Sequence, residues 1–98
     1  MEPELLVDGE LQLDAALSLE VALRKCPDSP LKGDANILIF PELDAGNIGY
    51  KLAQYLGGAQ AIGPITQGFQ KSFNDLSRGS SVDDILLLAA VSGIQSDF

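Results

Sequence analysis

Residues 82–95, VDDILLLAAVSGIQ, are apolar on almost every side when wound as a helix. A helix without a polar face has to be buried on most sides. A chain of 98 residues has room for only a modest core. The expectation is therefore that a further domain or a partner chain covers this helix. The longest unbroken apolar run, residues 85–91, is far too short to span a bilayer. With no leader-like stretch either, the chain reads as cytoplasmic.

The rest of the chain alternates helical and extended patterns. Residues 5–13 alternate weakly around Asp8-Gly9, a turn-forming dipeptide. Asp14 is a plausible N-cap for a helix over 14–25, with Leu17, Leu19, Val21 and Leu23 forming a broad buried stripe. Pro27 and Pro30 end it, and residues 32–34 form a surface turn. Residues 36–40 (NILIF) are a short apolar run stopped by Pro41, which predicts a buried strand. Asp44 can cap a helix over 45–56, whose Ile48, Leu52, Tyr55 and Leu56 share one face before Gly57-Gly58 stops it. Residues 61–65 (AIGPI) predict another short strand, and residues 68–75 an irregular segment. Ser81 is a good N-cap for the last helix, 82–95. Strands alternating with helices argue an α/β fold.

Charge narrows the partners. The net charge is −8 with only six basic residues, which argues against nucleic acid or an acidic membrane surface. There is no histidine and one cysteine, Cys26, so the residues offer no metal-ligand cluster and no internal disulfide. Cys26 reads as a small thiol in a reducing compartment.

The chemistry concentrates in residues 74–84, NDLSRGSSVDD. A hydroxyl, a guanidinium and a carboxylate gather around one helix start, where free N–H groups and the helix dipole favour an anion. Arg78 adds a planar fork of donors suited to phosphate, or else a surface salt bridge. Gly79 lets the backbone pass close to a ligand. Asp84 has two readings. Ser81-x-x-Asp84 is the spacing of a capping box. A carboxylate beside an anion site also makes sense if it takes a proton. The two roles conflict, because a carboxylate held by backbone N–H groups has a lowered pKa. A base at Asp84 should face the cleft and leave the helix uncapped. Asp83 points about 100° away and reads as a dipole-favourable surface acid. Together these groups suggest acyl or phosphoryl transfer. Asn47, in the GNIGYK stretch, opens a predicted helix after a predicted strand and is a second candidate binding residue.

Residues 7–17 (VDGELQLDAAL), 28–30 (DSP), 36–51 (NILIFPELDAGNIGYK), 61–65 with 67–68 (AIGPI, QG) and 74–85 (NDLSRGSSVDDI) resemble, in order and spacing, the C-terminal part of the phosphate acetyltransferases (phosphotransacetylases). The resemblance implies part of a three-layer α/β/α sandwich like the isocitrate dehydrogenase fold, with the active site in a cleft between domains. On that pattern residues 1–75 complete one domain, and residues 76–98 supply the active-site loop and a terminal helix returning to the other. The implied reaction is reversible acetyl transfer between acetyl phosphate and coenzyme A, with coenzyme A as substrate, no tightly bound cofactor and no metal in the site. Ser77 matches the serine that bonds the acyl oxygen, Arg78 the phosphate-contacting arginine, and Asp84 the base. The family carries further phosphate and coenzyme A contacts in an N-terminal part. The chain matches the last third or so of a short member, so a missing N-terminal domain or a homo-oligomer is the expected partner. Phosphate butyryltransferase, or an inactive fragment that only self-associates, are the alternatives. Ser80 stands where relatives usually carry cysteine, Lys71-Ser72-Phe73 where Lys-Pro-Val is usual, and Tyr55 where many have arginine.

Overall fold

The computed structural model of the chain describes residues 3–97. Four helices appear: α1 (Leu13–Leu17), α2 (Leu19–Lys25), α3 (Leu43–Tyr55) and α4 (Val82–Gln95). They fall in two compact units, Met1–Phe40 and Pro41–Phe98.

In the first unit, the helix expected over 14–25 is broken at Ser18. Its backbone is extended there (φ −132°, ψ 119°), and its hydroxyl caps α2 by accepting the Val21 N–H at 3.4 Å. The break frees the Ala16 carbonyl, which accepts the Ala35 N–H at 3.1 Å. The turn at residues 31–33 carries the chain back across this break, with Lys32 and Gly33 at positive φ. A Cβ on Gly33 would lie 2.3 Å from the Ser18 carbonyl carbon, so only glycine fits. Lys25 then ties α2 to α1 through Asp14, 2.6 Å away, and Gln12, also at 2.6 Å. The buried residues of this unit are Ala15, Ala16, Ala22 and Ser29. The expected leucine stripe is not buried: Leu17, Leu19 and Leu23 are exposed. The buried positions of α1 and α2 are instead the small ones, Ala15, Ala16 and Ala22.

In the second unit, α3 starts one residue after Glu42, not after Asp44. The Glu42 carboxylate accepts the Asp44 N–H at 2.8 Å and the Ala45 N–H at 2.9 Å, doing at longer reach what a shorter aspartate does at an N-cap. Asp44 lies inside the first turn, where the dipole favours it. The last helix begins and ends where its sequence predicts, with Ser81 as N-cap.

Residues 36–40 and 61–65 are not strands, and no strand occurs among the described residues. A strand exists only by pairing with a second backbone about 4.8 Å away. Neither run has such a partner among the described residues, which leaves Ile37 and Ile39 71% and 89% exposed. Burial is sparse throughout: Leu88 is the buried apolar residue of α4, while Ile85, Leu86 and Ile94 face solvent.

Candidate functional site

The start of α4 is a reciprocal capping box. Asp84 Oδ2 accepts the Ser81 N–H at 2.7 Å, and Ser81 Oγ accepts the Asp84 N–H at 3.2 Å. The backbone N–H of Ser81, and its hydroxyl, hold the Asp84 carboxyl below the ordinary aspartate range. In this conformation the carboxylate caps the helix, where a base turned toward a cleft would leave the Ser81 N–H unpaired.

Just ahead lies a tight turn over residues 77–80. The Ser80 N–H donates to the Ser77 carbonyl at 3.1 Å, and the Ser80 hydroxyl donates to the same oxygen at 2.7 Å. The Gly79 N–H reaches Ser77 Oγ at 3.3 Å. This turn presents Arg78 at its exposed tip, and Arg78 forms no ion pair among the described residues; the pairs seen are Arg24–Glu20 and Lys25–Asp14.

Asn47 does not open its helix. It lies in the second turn of α3, and at the α3 start the Asp44 and Ala45 amides are taken by Glu42. What brings Asn47 to the site is its face of the helix. Asn47 and Tyr50, three residues apart, line one side of a cavity of about 570 Å³. Residues 61–64 (AIGP) form a second wall, and Asp75, Leu76 and Ser77 a third. The volume lies within the range of roughly 300–1,000 Å³ typical of small-ligand sites. Its lining is mainly apolar and includes a hydroxyl, an amide, a phenol and a carboxylate.

The structure thus joins Ser77 and Asn47 at one cavity, with Arg78 and Gly79 in the adjoining turn. Asp84 is not among the residues lining it. The carboxylate that does line it is Asp75, whose Oδ1 accepts the Leu76 N–H at 2.7 Å. Sequence reading passed over Asp75 and Tyr50. For Tyr50 a signal existed, its helical spacing from Asn47. For Asp75 none did, because the orientation of a loop carboxylate follows from the fold around it. Among the described residues no cluster of potential ligands could hold a metal ion, and no helix is long and apolar enough to cross a membrane.

Comparison with known proteins agrees in one direction. The family described as phosphate acetyl/butaryl transferase matches residues 1–92. The phosphate acetyltransferase of Clostridium acetobutylicum is 56% identical over 94 residues, covering 96% of this chain and 28% of the relative. That of Thermoanaerobacterium thermosaccharolyticum is 60% identical over 94 residues, covering 96% of this chain and 29% of the relative. Among solved structures, the EutD phosphotransacetylase from Staphylococcus aureus superposes with a TM-score of 0.77 at 52% identity, over 91% of this chain and 26% of that one. The chain spans little more than a quarter of the length of the relatives it matches.

Proposed function

The chain belongs to the phosphate acetyl/butaryl transferase family, and we propose that it supplies the serine–arginine loop of an enzyme that transfers acetyl reversibly between acetyl phosphate and coenzyme A. The observation that carries this is the Ser77–Ser80 turn. It sets a guanidinium, in no ion pair among the described residues, beside a serine that lines a cavity of small-ligand size. The acetyl preference follows the relatives, which are named as acetyltransferases.

In the proposed reaction the coenzyme A thiol gives up its proton, and the thiolate sulfur attacks the acetyl carbonyl carbon. The C=O electron pair moves onto oxygen, where the Ser77 hydroxyl donates to the oxyanion. The tetrahedral centre then collapses, breaking the bond to phosphate oxygen and releasing phosphate, whose charge Arg78 neutralises. Gly79 keeps the turn free of a side chain at the phosphate, and Asn47 offers its amide from across the cavity. The thiol has an ordinary pKa of about 8.5, so a base is needed near neutrality. Asp84 fills that role only once its carboxylate leaves the Ser81 N–H, because the cap lowers its affinity for a proton.

We place the chain in a three-layer α/β/α sandwich in the full-length protein. There residues 36–40 and 61–65 gain strand partners, and the exposed faces of α3 and α4 gain cover. The boundary near residue 75, with the loop and α4 crossing to a second domain, belongs to the same proposal. So do an N-terminal domain or a second copy as the covering partner, and coenzyme A as a substrate with no resident cofactor.

The test is acetyl transfer from acetyl phosphate to coenzyme A by the full-length protein, with and without Arg78→Gln. Loss of one charge-stabilising donor typically costs about 10²–10³-fold in turnover. Unchanged turnover in Arg78→Gln would remove Arg78 from the mechanism.

A further inference from the structure

The side chain of Asn74 is saturated. Its Oδ1 accepts the Thr66 N–H at 2.8 Å. Its Nδ2 donates to Ser92 Oγ and to Gln95 Oε1, each at 2.7 Å. Thr66 Oγ1, 3.2 Å from Asn74 Oδ1, donates to the Phe73 carbonyl. Ser92 and Gln95 are three residues apart in the last turn of α4, so one amide grips that end of the helix through two acceptors on one face. An asparagine amide has two donors, and both are used here.

The other end of the same loop is fixed at the opposite end of the same helix. Ser81 is the N-cap of α4, locked by the Asp84 capping box. Residues 74–81 therefore run alongside α4 with both ends attached. From the cap to Ser92 the helix rises about 16 Å, and to Gln95 about 21 Å. The loop joins these two ends with seven peptide steps, and the side chains of Asn74, Ser92 and Gln95 cover part of the distance. The Ser77–Ser80 turn spans at most about 7 Å, and the four remaining steps at most about 14 Å. The loop is short, and both of its ends are attached to α4. The position of the turn along α4 is consequently set by where Asn74 is anchored.

We propose that Asn74 is a positioning residue: its grip on Ser92 and Gln95 holds the Ser77–Arg78 turn in register for acyl transfer. The inference rests on the acyl-transfer reading above. Asn74 does not line the cavity; it acts by anchoring one end of a short loop. Releasing it lets the turn move by an ångström or more, and misplacement on that scale costs about 10²-fold in rate.

The experiment is a double-mutant cycle in the full-length protein, read by turnover and by amide hydrogen exchange. Asn74→Ala should lower kcat about 10²-fold. In a Ser77→Ala background the same change should lower it by less than about threefold, because the group being positioned is already gone. The double variant Ser92→Ala/Gln95→Ala, which removes the acceptors, should reproduce the loss. Exchange at the Ser80 amide should quicken in both, while amides in the middle of α4 stay protected and report an intact fold. An equal loss from Asn74→Ala in both backgrounds would overturn the proposal, as would near-normal turnover. If the unaltered protein transfers no acetyl at all, the reaction and with it the positioning role fail. Ser80 exchange then decides whether Asn74 tethers the loop.

Discussion

Ser81 and Asp84 each satisfy the other's backbone amide, Ser81 through its hydroxyl at 3.2 Å and Asp84 through its carboxylate at 2.7 Å. Because the Asp84 carboxyl is lowered below its ordinary value, the charged form is favoured in the folded state. Its contribution is therefore fully present above the unfolded value of about 3.9 and is lost as pH falls through the lowered folded value. Far-ultraviolet circular dichroism of the unaltered protein and Asp84→Asn during acid titration should show the advantage of the aspartate at about pH 6 and its disappearance once the pH falls through the lowered folded value. A gap between the two that persists unchanged into strong acid would rule out the charged cap.

The same pair sets up a contest between two carboxylates. Asp75 lines the cavity, and Asp84 is the base in the proposed reaction. Turnover of Asp84→Asn in the full-length protein should fall by about 10²–10⁴-fold, the range of general-base contributions. Asp75→Asn should fall by less than about tenfold if Asp84 takes the proton, because Asp75 then serves only the Leu76 N–H. The reverse order would move the base to Asp75.

Gly33→Ala tests the first unit without touching the site. The new Cβ would meet the Ser18 backbone at 2.3 Å in a residue at φ +73°. Neither a backbone carbonyl nor a positive φ yields cheaply, so a loss of about 3 kcal/mol or more is expected from overpacking and strain combined. Chemical denaturation would measure it, and a variant as stable as the parent would mean that the turn at residues 31–33 does not cross the α1–α2 break.

Exposed apolar side chains predict the behaviour of the 98-residue chain by itself. Leu43, Leu56 and Ile39 are 77–89% exposed, and α4 buries only Leu88 among its apolar residues. Size-exclusion chromatography with an environment-sensitive dye should find a self-associating, dye-binding species. A clean monomer that ignores the dye would show that these side chains find cover within the chain.

Legibility followed the range of the forces involved. The last helix was readable to the residue, because a capping box and a continuous apolar run are local signals. The start of α3 was misread by two residues, because Asp44 is the more usual cap and Glu42 reaches the same amides only in the folded geometry. The break at Ser18 is tertiary: the returning turn at Gly33 and Ala35 takes up the carbonyl that an unbroken helix would use. Residues 36–40 and 61–65 have the composition of buried strands, but a strand is a relation between two backbones, and composition supplies only one of them.

The sequence by itself determined the motif from Asn74 to Asp84, the cap at Ser81, and the family to which the motif belongs. These depend on residue type and near spacing. Only the tertiary structure decided that Asn47 and Ser77 share a cavity, that Asp75 lines it, and that Asn74 reaches Ser92 and Gln95. Those contacts join residues some 18 to 30 positions apart. They form only when packing offsets the entropy of closing the intervening loops, and no local propensity encodes that balance.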